Sequence, residues 1–249
     1  MTVLFEYVLG LADDALVLGH RLSEWSGRAP MLEEDIALSN LALDLIGQAR
    51  LFYARAGEVE GRGRDEDALA YLRDEHEFAN LLLTEQPNAD FAATMVRQLF
   101  FAAFKHPFYD ALTRSRDRRL ADIAGKAVKE MAYHVRHAGE WVIRLGDGTE
   151  ESRRRAAAAL DDLWMYTGEM FEVDEGVEAL IEAGIAVDPA RIRPAWDATI
   201  DRVLGEATLA RPADRWMQSG GRRGQHSEHL GHLLAEMQVL HRAHPGVVW

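Results

Sequence analysis

The stretch from Ala121 to Leu145 constrains this chain's fold more than any other. Ala124, Val128, Met131, Val135, Ala138, Val142 and Leu145 recur at alternating intervals of four and three, the apolar seam of a helix packed in a bundle. About a quarter turn away, Glu130, His134, His137 and Trp141 share a second face of the same helix. Such a helix carries polar, metal-capable side chains beside its packing surface. Whether that second stripe holds metal decides what kind of protein this is.

The rest of the chain repeats the helical period. A first helix is expected from Val3 to Trp25, with Leu4, Val8, Leu11, Ala15, Leu18 and Leu22 as its seam and Gly27 and Pro30 as its breakers. A second opens on Glu33, Glu34 and Asp35, which suit a helix N-terminus, and runs to Gly57. After the loop EVEGRGRDED, a shorter helix is expected from Ala68 to Thr84. A phenylalanine-rich one follows from Phe91 to Thr113, where Pro107 predicts a kink or local break. Asp117 caps the central helix, which stops at Gly146. Further helices are expected over Glu151–Phe171, from Pro189 to Leu209, and over Glu228–His241. In the Glu151–Phe171 helix, Arg153, Arg154 and Arg155 at the start and Glu169, Glu172, Asp174, Glu175 and Glu178 at the end oppose the macrodipole. That order predicts compensation by other elements or a partner. No stretch is dominated by a period of two, so the expectation is an all-α bundle in a single domain spanning residues 1–249.

Composition narrows the function. A formal net charge of -13 disfavours nucleic acid and anionic membranes as partners, because both demand a positive field. With no Cys, the chain builds neither disulfides nor thiolate metal sites. Glu6, Asp13 and Asp14 interrupt the apolar N-terminal stretch, so it reads as neither a signal peptide nor a membrane span. A cytoplasmic location is expected.

A di-metal carboxylate bundle needs one acid from each of two helices and a Glu-x-x-His pair from each of the other two. Against that template the first acid falls on Asp13 or Asp14, one pair on Asp44-x-x-Gly47 and the other on Glu130-x-x-Tyr133. The phenylalanine-rich helix offers Val96, Arg97 and Gln98 where the last acid belongs. No acidic residue has a histidine three positions later, although His134 meets Glu130 at i+4. The expected role of Asp13, Asp44 and Glu130 is therefore as buried polar groups tied to each other, to Gln48 or to a base such as Lys129, with no metal bound. The competing reading is a free-standing di-metal enzyme using Glu130, His134, Asp44 and Asp13.

The order of helices and the stretches LALDLIGQARLFYARAG, DEHEFANLLLTEQPN, KAVKEMAYHVRHAGEWVIRLGDGTEES and GGRRGQHSEHLGHLLAEMQVLHRAHPGVVW resemble the PaaC (PaaI) subunit family of phenylacetyl-CoA epoxidase, a bacterial multicomponent monooxygenase. The resemblance covers nearly the whole chain. It implies a ferritin-like four-helix bundle with additional peripheral helices and a non-catalytic, structural role with a degenerate di-iron site. It also implies hetero-oligomeric partners: a PaaA-type subunit that carries the di-iron centre and binds phenylacetyl-CoA, a PaaB-type component, and a PaaE-type, NADPH-dependent reductase with FAD and an iron–sulfur cluster. The complex so implied epoxidises the aromatic ring at its 1,2 bond in aerobic phenylacetate degradation.

Two C-terminal motifs remain. His226, His229 and His232 in HSEHLGH, with Glu228 among them, offer metal-binding spacing but no fixed acid, so a surface or interface role is expected. The GGRRG loop lacks the pattern of a phosphate-binding P-loop. Arg222 and Arg223 are expected to contact a partner or the phosphates of its CoA ligand. Trp164, Trp196, Trp216 and Trp249 are expected as packing anchors, some of them at an interface.

Overall fold

The computed structural model describes residues 2–173 and 176–247. Asp174, Glu175 and Trp249, which carried expectations above, lie outside the described residues. The described chain is all-α, with α1 (Val3–Ser23), α2 (Leu32–Glu60), α3 (Glu66–Tyr71), α4 (Leu82–Glu85), α5 (Phe91–Leu112), α6 (Arg118–Gly146), α7 (Glu150–Trp164), α8 (Val177–Glu182), α9 (Arg193–Glu206) and α10 (Glu228–Ala243), joined by short 3-10 turns. It divides into two compact units, Met1–Pro87 with Gly220–Trp249, and Asn88–Ser219. Each unit is built on one pair of long helices, and the all-α content fits the ferritin-like fold expected from the sequence.

In the first unit α1 packs along α2. Val8, Leu18 and Leu22 of α1 and Leu38, Leu41, Leu45 and Phe52 of α2 lose all contact with solvent, the main apolar driving force of this unit. α2 runs past Gly57 and ends at Gly61, whose φ of 68° supplies a left-handed cap. Gly57 stays helical and is small because the Arg64 carbonyl occupies the space its Cβ would take. The helix expected from Ala68 to Thr84 is broken into α3, a 3-10 turn and α4. The cause is tertiary. Ala79 and Leu81 give their N–H groups to Asp13 and Asp14 of α1, each at 2.8 Å, and so forgo helical bonding. α10 closes this unit, its Gln238 amide donating to the carbonyls of Ala70 and Arg73 at 3.1 and 3.0 Å.

The second unit is built on α5 and α6, with α7 and α9 packed against both. Asp90 caps α5 through the Ala93 N–H at 2.9 Å, and the helix passes Pro107 without a break. Asp117 caps α6 through the Arg119 and Leu120 N–H groups. The buried stripe of α6 differs by part of a turn from the expected seam. Leu120, Ala124, Ala127, Met131, His134, Ala138 and Val142 are buried, while Val128, Val135 and Leu145 lie at its edge. His134 is therefore a core residue. Adjacent positions on a helix are about 100° apart, and the tertiary contacts, not the period, choose between them. α7 begins with Glu150 and Glu151, which favour the macrodipole, and ends at Trp164 before Glu169, so the acidic patch expected at its end lies outside the helix, although Asp161 and Asp162 occupy its last turn. Glu151 pairs with both Arg154 and Arg155, and Arg153 donates to the Thr208 carbonyl. Trp164 and Trp196 are packed with Phe100 and Phe171, whereas Trp216 is 69% exposed.

Candidate functional site

Three fully buried carboxylates organise the first unit: Asp13, Asp14 and Glu85. A buried carboxylate survives only when donors surround it. Asp13 accepts from the Tyr53 hydroxyl at 2.5 Å, from the Ala79 N–H and from both terminal nitrogens of buried Arg73. Its partners are thus not Asp44 or Gln48, as expected above, because α2 turns Tyr53 inward and the 72–81 segment delivers Arg73. Burial and the neighbouring Asp13 charge push the Tyr53 hydroxyl well above its ordinary pKa. Burial opposes the Arg73 charge, yet Asp13 outweighs it and raises the guanidinium.

Asp14 takes the Leu81 N–H at 2.8 Å and two nitrogens of Arg222 at 3.0 and 2.8 Å. Arg222 also donates to the carbonyls of Gly10 and Ala79. The guanidinium expected to reach outward is therefore spent inside its own unit, and Arg223 is the exposed arginine of that loop. Glu85 accepts the Asn80 amide at 2.9 Å, the Ser227 N–H at 2.6 Å and His226 Nδ1 at 2.8 Å, while His226 Nε2 meets the Phe78 carbonyl at 2.9 Å. Burial lowers the His226 pKa, but the bonds to Glu85 and the Phe78 carbonyl outweigh it, and the net shift is upward. With both ring nitrogens committed, His226 does not join His229 and exposed His232 in a shared site. Tyr53, Arg73 and Glu85 went unread in the sequence. For Glu85 the signal was a lone acid ending the apolar run LLLTE.

Asp44 and Gly47 lie on α2, one turn apart. In the second unit the Gln98 amide of α5 lies 3.0 Å from His134 Nδ1 of α6, both side chains fully buried. Glu130 pairs at 3.4 Å with Lys126, one turn earlier on α6, where Lys129 was the expected base. Tyr133 stands exposed, stacked on His137 and flanked by Arg136. Among the described residues no group of three or more His, Asp or Glu side chains gathers in a way that could hold a metal ion.

The family described as phenylacetic acid catabolic protein matches residues 1–249. The chain belongs to that family. Its sequence is 49% identical over 249 residues to the C subunit of the 1,2-phenylacetyl-CoA epoxidase of Escherichia coli (strain K12), with 100% of each chain covered. The resemblance read from the four sequence stretches therefore points to the right family. One open cleft of about 260 Å³ lies in the second unit, lined among others by Asp90, Phe91, Ser152 and Arg155. Its charged lining residues are paired with one another: Arg155 reaches Asp90 at 3.7 Å and Glu151 at 2.7 Å, and the hydrogen bonds of Arg154 and Arg155 lower the Glu151 carboxyl to about 2. No helix among the described residues is long and apolar enough to cross a membrane.

Proposed function

We propose that this chain is a non-catalytic subunit of a phenylacetyl-CoA 1,2-epoxidase acting in aerobic phenylacetate degradation. The observation that carries the reading is the identity of 49%, over the full length of both chains, to the C subunit of such an epoxidase. In the proposed complex a PaaA-type sister subunit holds the di-iron centre and the CoA thioester. A PaaB-type component accompanies it, and a PaaE-type reductase carrying FAD and an iron–sulfur cluster supplies electrons from NADPH. This chain stabilises the sister subunit and helps shape its substrate site. The complex is cytoplasmic.

The local chemistry supports a degenerate metal site. A di-metal bundle asks for inward carboxylates with open lone pairs and paired histidines. Asp13 instead spends its oxygens on Tyr53, Arg73 and Ala79, Gly47 and Tyr133 stand where histidines belong, and Gln98 meets His134 through an amide. These residues do not fit a di-iron centre. They brace helices.

The test has two parts. Iron content is measured by elemental mass spectrometry on the chain purified alone from iron-supplemented medium, and turnover of phenylacetyl-CoA is measured with and without it beside the sister subunit and reductase. Negligible iron with turnover dependent on this chain is expected. About two irons per chain, the load of a complete carboxylate-bridged site, or full turnover without the chain, overturns the reading.

A further inference from the structure

Beyond α9 in the second unit, residues 209–219 run without secondary structure across the buried pair Trp164 and Trp196, whose rings lie 5.7 Å apart. The segment is clipped down at three points. Arg211 lies over the Trp164 ring at 5.0 Å and the Trp196 ring at 5.7 Å, and pairs with Asp197 at 2.6 Å and Asp201 at 2.7 Å. Asp214 accepts the Trp164 Nε1–H at 3.0 Å and meets Arg193 at 3.4 Å. Farther along, the Gln218 N–H donates to the Met165 carbonyl at 2.8 Å. Between the first and last of these clips, Ala213 to Trp216 stand exposed.

The clips are weak, and the start of the segment is strained. The side chains of Arg211 and Asp214 are 28% and 59% exposed, so dissolved ions screen their bridges. Thr208, with a φ of 56°, takes the left-handed position of the cap that ends α9, where the Thr208 and Leu209 N–H groups donate to the Gly205 and Leu204 carbonyls. Glycine suits that position, and a β-branched side chain there stores strain. Arg153 holds the turn by donating to the Thr208 carbonyl at 2.7 Å.

We infer that residues 209–219 form a strap that lifts from the two indoles while the helices stay folded, with Thr208 as its hinge and ionic strength setting how often it is open. Segments held by solvated bonds open locally at far less cost than the whole fold. Lifting lets the Thr208 backbone relax and uncovers an aromatic surface that the closed strap hides. The two indoles report on it differently. Trp164 gives its Nε1–H to Asp214 of the strap, so lifting bares that proton to water. Trp196 gives its own to the Phe100 carbonyl of α5 at 3.0 Å, a bond in which the strap has no part.

Indole N–H exchange in the full chain tests this, followed by NMR with the resonances assigned through single Trp→Phe substitutions. The parent chain is compared at about 0.02 M and about 0.5 M NaCl, between which the Debye length shrinks severalfold. Trp164 is expected to exchange at least about a hundredfold faster than Trp196, because only Trp196 waits for the core to open. Added salt and Arg211→Gln should each speed Trp164 severalfold further and leave Trp196 unchanged. Thr208→Gly removes strain from the closed form alone, so it should slow Trp164 by about fivefold. Equal exchange of the two indoles in the parent chain overturns the strap. Trp164 exchange that neither salt nor either substitution alters overturns it as well. So does an Arg211→Gln variant that speeds both indoles alike, where salt and Thr208→Gly leave Trp164 unmoved.

Discussion

Arg222 and Asp14 lie 208 residues apart in the chain and meet through two nitrogen–oxygen bonds of 3.0 and 2.8 Å. The carboxylate is fully buried and the guanidinium side chain is 20% exposed, so the pair is shielded from most of the screening that weakens surface bridges. It ties the GGRRG loop to α1 and to the backbone of the 78–81 segment. Removing one partner strands the other. Arg222→Ala is expected to lower the unfolding free energy by about 3 kcal/mol, and Asp14→Ala by a similar amount. The double substitution should cost clearly less than the sum, which urea titration of the four proteins in a double-mutant cycle reads out directly.

Tyr53 tests whether the Asp13 centre is structural. Its hydroxyl donates to Asp13 at 2.5 Å and accepts from Arg73 at 3.2 Å. Tyr53→Phe preserves the ring and removes both bonds. About 2 kcal/mol of stability should disappear, with an unchanged denaturant slope, since the folded and unfolded surfaces stay the same. Turnover of the reconstituted epoxidase should hold at parental level below the melting temperature. A large fall in turnover with stability intact would assign this cluster a chemical role.

The long helices were legible because each buries one face, and a period of 3.6 records that face directly. Asp117 as a cap was legible for the same local reason. What the sequence hid is what depends on another segment. Nothing local in LRDEHEFANLLLTE says that the Ala79 and Leu81 N–H groups will be claimed by carboxylates more than 60 residues earlier. Those bonds convert an expected helix into two short ones. Likewise His134 and Val135 are equally compatible with the α6 period, and packing beside Gln98 places the imidazole inside. The charge order near Arg153 misled in part because the helix ends at Trp164, before the acidic patch that starts at Glu169. Arg222 looked like a surface reader for a related reason: its acceptors come from α1 and from the 78–81 segment, and no spacing rule connects them.

His134 separates the two readings of the α6 stripe. His134→Ala removes a fully buried ring and leaves the Gln98 amide without its acceptor at 3.0 Å. The expected cost is about 2–4 kcal/mol of stability. His134→Gln, which restores an acceptor, should recover part of it. If His134 serves packing alone, both variants, once assembled and kept below their melting temperatures, turn over phenylacetyl-CoA at the parental rate. Loss of activity in a variant that still assembles would revive the metal-ligand reading.

His226 makes the attachment of the C-terminal segment depend on pH. Its Nδ1 faces Glu85 and its Nε2 the Phe78 carbonyl, both acceptors, so only the imidazolium satisfies the two at once. The folded-state pKa is raised above its ordinary value of 6.5. For a group so shifted, folding binds the proton more tightly. The stabilisation is therefore fully present below about 6.5 and is lost as pH climbs through the folded-state value. Deprotonation leaves one nitrogen lone pair against an acceptor in a site shut off from water. The difference in melting temperature between the parent chain and His226→Gln should accordingly be largest near pH 6 and shrink steadily as pH rises above 6.5. The protection factors of α10 amides, which remove the intrinsic rise of exchange with pH, should fall over the same interval in the parent chain and stay flat in the variant. A melting-temperature difference that grows with pH would reverse the sign and show that the neutral ring is the bound form.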